Sequence, residues 1–264
     1  MMASNVIEYF QFPVHLSVTQ KLTKKSFYEL GNLSNAQQKL LQEQVDSIHL
    51  VAQLTPDKTN IPALQTETLE YLEILVIEVR LKETTAQLPA KSLQSLYQLM
   101  HKAIPYPLVL IVSVGKQSQL SLAEKQINQA KAESDKLVIN ELIQSDWLNL
   151  QNPTTIESDF FNSLQYNQLN HSNLFQLYQS LIQRLTALLI AKKTGQFKLN
   201  NSNENQGQEQ LDQQRQQLKL MQKLDKEISE LKNKIASTQQ FNEKVELNLQ
   251  LQKLTKQLTA HKVV

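Results

Sequence analysis

Residues 101–112 read HKAIPYPLVLIV, and the fold turns on what this stretch does. Leu93, Leu96, Tyr97, Met100 and Ile104 recur at helical spacing before it, and Pro89 suits a helix start, so residues 90–103 predict a helix. Ile104 and Tyr106 each precede a proline, which pushes them away from helical angles. The helix must therefore stop, and the chain enters the next segment with little freedom. That segment, LVLIVSV at 108–114, is apolar on both alternating faces, the mark of a strand buried on both sides. A stiff helix-to-strand junction at the core is the reading, with Tyr106 packed rather than displayed.

Working outward, Gly115–Ser118 is turn chemistry, and QLSLAEKQI at 119–127 predicts the second arm of a hairpin. KLVINELI at 136–143 is a further strand candidate. Upstream, YLEILVIEVRLKE at 71–83 is the clearest strand. Its alternation changes phase at Val76–Ile77, which predicts a bulge or a strand buried on both faces. Ser34 with Gln37 forms a capping-box pattern opening a helix over 34–47. IHLVAQL at 48–54 has strand character, and TPDKTNIP at 55–62 is turn chemistry. Residues 173–193 are amphipathic through Leu174, Leu177, Tyr178, Leu181, Leu185, Leu188 and Leu189. The expected hairpins argue against a purely parallel doubly wound sheet.

The run NNSNENQGQEQ at 200–210 is polar throughout. Beyond it, Met221, Leu224, Ile228, Leu231 and Ile235 form a heptad seam. ASTQQFN at 236–242 disturbs it, and Leu247, Leu251, Leu254 and Leu258 resume it. One long helix with a register shift, pairing with another chain, competes with a helical hairpin; no Gly or Pro marks the break, which favours the long helix. The expected organisation is thus α+β: a mixed β-sheet with covering helices over 1–198, a polar linker at 199–210 and a C-terminal α-helical coiled coil over 211–264. The nine seam residues are the expected interaction surface, for self-association or a partner helix.

Composition narrows function mainly by exclusion. The chain has 264 residues and no cysteine, so it holds no disulfide, zinc–thiolate site or cysteine nucleophile. The opening MMASNVIEYFQFPV lacks a basic n-region and a long apolar segment, and no apolar run reaches the ~18–20 residues of a membrane span, so the expectation is cytoplasmic with no membrane contact. Residues 1–198 hold 17 basic and 17 acidic residues, and residues 199–264 hold 10 and 8. Neither part has the basic excess of a protein that binds DNA strongly by itself, so DNA contact is expected only within a complex.

No GxSxG motif is present, and four glycines leave no common phosphate-cradling loop. His15, His49, His101, His171 and His261 have no metal-ligand spacing, so structural roles are expected. One pattern carries chemistry. Pro56–Asp57 is followed after 20 residues by Glu78–Val79–Arg80 on a strand, which superficially matches the PD-(D/E)xK nuclease arrangement. That chemistry needs two acids on neighbouring strand ends to hold Mg²⁺ and a lysine to position water. Arg80 stands at the lysine position and stays protonated, whereas Lys82 shares its face two residues later. Asp57, Glu78, Arg80 and Lys82 are therefore the catalytic candidates under a nuclease reading, with Mg²⁺ as the cofactor under that reading alone. Lys21, Lys24 and Lys25 form a small basic patch; Glu67, Glu70 and Glu73 form an acidic one, read as a solvated face; Trp147 reads as a core or interface anchor.

Three stretches, QLTPDKTNIP at 53–62, HKAIPYPLVLIV at 101–112 and QQFNEKVELNLQLQKL at 239–254, together resemble the bacterial domain of unknown function 4391 family over nearly the whole chain. Members of that family are often encoded beside helicases and DNA methyltransferases of restriction-like systems. The resemblance therefore implies a non-enzymatic accessory subunit in bacterial DNA restriction or anti-phage defence, docking on a helicase or DNA methyltransferase. A degenerate or active metal-dependent nuclease and a DNA-binding subunit are the alternatives.

Overall fold

The computed structural model describes residues 5–83, 89–128, 137–199 and 204–262. Its elements, in chain order, begin with α1 (Ile7–Phe10), β1 (Ser17–Leu22), α2 (Lys24–Leu30), α3 (Asn35–Gln44), β2 (Val45–Leu54), α4 (Pro56–Thr59), β3 (Leu64–Gln65), β4 (Glu70–Tyr71) and β5 (Ile74–Leu81). They continue with α5 (Ala90–Ala103), β6 (Leu108–Val114), β7 (Gln117–Ile127), β8 (Leu137–Gln144), β9 (Leu148–Asn149), α6 (Thr155–Ser163), α7 (Leu174–Thr194), α8 (Glu204–Ser237) and α9 (Phe241–Lys262). The chain divides into two compact units, Met1–Leu185 and Thr186–Val264, with the boundary inside α7.

The first unit is α+β. Its seven-stranded sheet runs β1-β2-β5-β6-β7-β8, with β9 also paired to β7; β3 and β4 form a separate two-stranded sheet. The β5–β6 pair is parallel and the other pairs are antiparallel, so the sheet is mixed as expected. A parallel pair needs a crossover, and α5 supplies it. Ser34 and Gln37 close the anticipated capping box of α3. That helix ends three residues early, however, because Val45 is extended, fully buried and paired with Leu81. Burial in the sheet outweighs one more helical turn. The phase change at Val76–Ile77 reflects burial of β5 on both faces, and the irregularity lies in the partner strand β2. The register shifts there, where Leu50 pairs with Ile77 but Ala52 with Val76, and β5 is central and almost wholly buried. One face of the sheet packs Ile48, Ile77, Val79, Leu108, Leu110 and Val112 against α3 and α5 through Leu41, Leu96, Tyr97 and Met100, with half-buried Trp147 at the edge. Val109 and Ile111, on the other face, are equally buried.

In the second unit the preferred long helix is corrected. α8 ends at Ser237 and α9 starts at Phe241, and the two pack together as a hairpin in place of an extended coiled coil. The hydroxyls of Ser237 and Thr238 both donate to the Lys234 carbonyl, at 3.0 and 2.9 Å, beside the Thr238 N–H bond to the same oxygen, so this carbonyl is satisfied where the helix ends. Met221, Leu224, Ile228 and Leu258 form the hairpin core, with Leu251 and Leu254 packed against it. Leu247 is also buried, while Leu231 and Ile235 are half-buried. The heptad seam is thus covered by the same chain, because a three-residue connection brings the two apolar faces together at small entropic cost. α8 starts at Glu204, inside the polar run read as a linker at 199–210; residues 200–203 lie outside the described residues.

The junction at 101–112 is held by an almost continuous set of acceptors and donors. Ile104 is extended, with φ −99° and ψ 113°, as its position before proline dictates. The Lys125 ammonium, on β7, donates to the carbonyls of Ile104 and Tyr106, the latter at 2.7 Å. Leu75 N–H donates to the Pro107 carbonyl at 3.0 Å. The Tyr178 hydroxyl donates to the Leu108 carbonyl at 2.8 Å and accepts from Ala123 N–H at 3.0 Å, bridging β6 and β7 just beyond the pairs their ladder makes. Between α5 and β7, Tyr97 donates to Gln119, and His101 Nε2 lies 3.0 Å from the Ser121 hydroxyl. The Tyr106 ring itself is exposed, contrary to the packed role expected for it: the backbone carbonyl, not the side chain, fixes this position.

Burial pushes Lys125 down to about 7, and burial together with the Lys125 charge holds His101 well below its ordinary range. An unfolded lysine keeps its proton to about pH 10.4, so between pH 7 and that value the unfolded chain binds the extra proton. The Lys125 contribution to stability is therefore fully present above the unfolded value and is lost as pH falls through about 7. Urea denaturation should show the native chain gaining on the order of 2 kcal/mol between about pH 7 and 9.5 relative to Lys125→Met, which lacks the titrating group. Parallel pH profiles for the two chains would refute this assignment.

Candidate functional site

The carboxyl ends of parallel strands in a mixed sheet are where ligands commonly lie. β5 ends at Leu81 and β6 at Val114, and a cavity of about 500 Å³ opens beside them. Glu78, Arg80 and Lys82 line it together with Asn5, Ser113 and Ser118. Alternation puts Glu78, Arg80 and Lys82 on one side of β5 and its exit, as expected. The same pleat sends Ile77, Val79 and Leu81 into the core with α5. Register then aligns the polar groups across the sheet: Arg80 pairs with Ser113, and Ser113 with Ser118.

Glu78 is 2% exposed, and its carboxylate is well supplied with donors. Asn5 Nδ2 donates to Oε1 at 2.8 Å, and the Ser113 hydroxyl does so at 3.3 Å. Arg80 Nε and Nη2 both reach Oε2, at 3.0 and 2.9 Å. Ser113 Oγ in turn lies 3.1 Å from Ser118 Oγ. The Arg80 side chain is 54% exposed, so a buried anion is matched by a cation that reaches solvent.

The remaining rim is charged. Asp46 and Glu83 are exposed acids at the cavity, and Lys82 Nζ donates to the Gln42 carbonyl at 3.1 Å. The expected basic patch lies close by. The Lys24 ammonium donates to the Val45 carbonyl, next to Asp46. Its affinity for a proton is lowered first by partial burial, then by Lys82; Asp46 opposes the shift and Lys21 adds to it. Lys25, by contrast, pairs on its own helix with Glu29 at 3.8 Å.

Of the four nuclease candidates, three meet here and one does not. Asp57 lies on α4, after the end of β2, where Leu54 pairs with Ile74 at the start of β5. Glu78 is four residues further along that strand, roughly 13 Å at the usual rise. Mg²⁺ chemistry needs the two carboxylates side by side, and the one buried acid is already occupied by Arg80, Asn5 and Ser113. Among the described residues no group of three or more histidine or carboxylate side chains is gathered for a metal ion. The residues present do not fit the two-acid site.

Asn5, Asp46, Ser113 and Ser118 are not legible as site residues in the sequence alone, although Ser113 carries a signal. It is the single polar residue in an otherwise apolar central strand, and such a group is buried only with a partner. His101 and Trp147 take the structural places expected of them, one bonded within the junction and one against the core.

Residues 10–258 match the model of a family described as a domain of unknown function (DUF4391), and the chain belongs to that family. No curated protein and no solved structure gives a significant match. Among the described residues no helix is long and apolar enough to cross a membrane.

The asymmetry of the Glu78–Arg80 pair has a measurable consequence. Arg80→Met leaves a buried carboxylate short of two donors, whereas Glu78→Gln leaves an arginine that water can solvate. The first change should cost about 2 kcal/mol, a value reduced for the exposure of Arg80, and the second about 1 kcal/mol or less. Chemical denaturation of both variants at neutral pH checks the order.

Proposed function

We propose that this member of the DUF4391 family is a non-enzymatic accessory subunit of a bacterial DNA restriction or anti-phage defence system, docking on a helicase or DNA methyltransferase. The observation that carries the non-catalytic part is the state of Glu78. Its carboxylate is neutralised by Arg80 and bonded by Asn5 and Ser113, and Asp57 stands at the other end of the strand pair. The class of partner comes from the family resemblance. The heptad seam packs inside the α8–α9 hairpin, so docking through that unit would use surface other than the seam.

Affinity purification of the full chain from its native cell, at endogenous level, tests the reading. The expected result is co-elution with a helicase or DNA methyltransferase identified by mass spectrometry, in stoichiometric amount. A chain that elutes alone as a monomer overturns it.

The nuclease reading keeps one supporting observation, the convergence of Glu78, Arg80 and Lys82 on a single cavity. A cleavage assay with Mg²⁺ on purified chain and on Glu78→Ala decides it. Under the accessory reading neither protein cleaves DNA; cleavage abolished by the substitution would establish the nuclease instead.

A further inference from the structure

Arg80 presents an unused half. Its Nε and Nη2 groups, the side edge of the guanidinium, are taken by Glu78 Oε2. The end edge, Nη1 with the second hydrogen of Nη2, has no partner among the described residues. A planar fork of this kind fits two oxygens of a phosphate. Glu78 is buried and fixed by Asn5 and Ser113, so it holds the guanidinium in one orientation at the cavity wall. Such preorganisation lowers the entropic cost of binding.

The surroundings add positive charge from separate elements. Lys21 is on β1, Lys24 starts α2, and Lys82 follows β5. The pairing of Lys21 with His49, and of Glu78 with that same His49, places Lys21 two strands from the cavity wall. The bond from Lys24 to Val45 and that from Lys82 to Gln42 gather both ammonium groups at the α3–β2 junction beside it. Against these three lysines stand Asp46 and Glu83 on the rim, since Glu78 is already matched by Arg80.

We propose that this cavity is a phosphate-binding site, in which the end edge of Arg80 grips the phosphate oxygens and Lys21 and Lys24 supply longer-range attraction. The phosphate belongs to a nucleic-acid strand or to a small phosphorylated ligand. The site is independent of whether the chain docks on a helicase or methyltransferase.

The full purified chain is titrated with two probes: inorganic pyrophosphate by calorimetry, and a fluorescent single-stranded DNA of about 20 nucleotides by anisotropy, both at low salt. At least one is expected to bind and to weaken as salt rises. Arg80→Gln should lower that affinity about tenfold or more, the loss of one charge-assisted fork. Lys21→Ala, an exposed position, should weaken binding more modestly and flatten the salt dependence. Because Arg80→Gln also weakens the hold on Glu78, Lys21→Ala keeps the test valid if the first variant folds poorly. DNA binding without pyrophosphate binding places the phosphate within a strand, and the reverse places it on a small ligand; both support the site. Failure of both probes, or native affinity in every folded variant, overturns it.

Discussion

A buried lysine and a buried tyrosine hold open a gap between two neighbouring strands, and the rest of the first unit is arranged around that gap. Two prolines remove the N–H groups that residues 105 and 107 would otherwise offer, so this part of the chain has more acceptors than donors. Its carbonyls must then find donors from elsewhere, because a buried carbonyl without one is costly. Lys125 supplies two, Leu75 N–H a third and the Tyr178 hydroxyl a fourth. Three elements distant in sequence, β7, β5 and α7, are thereby tied to the single stretch Ile104–Leu108.

The same constraint positions the cavity. With the start of β6 fixed against Leu75, the parallel register with β5 follows residue by residue to Arg80 and Ser113. The two strands then end side by side, and their polar residues meet beyond the apolar core. Glu78, on that row, is paired on both sides, with His49 of β2 and Ile111 of β6, and is buried. Burial of a carboxylate is tolerated only with charge and donors at hand, and Arg80, Asn5 and Ser113 meet that requirement. The Glu78 and Arg80 of the nuclease-like pattern are, in three dimensions, a buried carboxylate paired with a partly exposed arginine.

The C-terminal helices illustrate a different balance. A polar helix with one apolar stripe needs a partner, and periodicity is the same whether that partner is another molecule or the next segment. The choice falls to the connection. The helix ends at Ser237 and restarts at Phe241, and over so short a connection the neighbouring seam is the apolar surface within reach. α9 also exposes Phe241, Val245 and Leu249 on the face opposite Leu247, Leu251 and Leu258, which is why its apolar residues are not confined to one stripe.

Local chemistry was readable where it acted over a few residues. The capping box at Ser34, the helix at 90–103, the proline-limited exit from it, the strand at 108–114 and the hairpin after Gly115 all follow from side chains within one turn or one strand of each other. Strand β1 was not readable in this way: SVTQKL is an edge strand with little burial, so it lacks the apolar alternation by which strands are recognised. Composition and pattern alone determined an α+β chain with a mixed sheet, no cysteine chemistry and a helical C-terminal segment. Tertiary structure alone decided that Val45 belongs to the sheet, that the heptad seam closes on itself, and that Asp57 and Glu78 lie apart while Asn5 and Ser113 meet. Those outcomes depend on strand register and chain reversal, which join residues dozens of positions apart and leave no mark in the spacing of their neighbours.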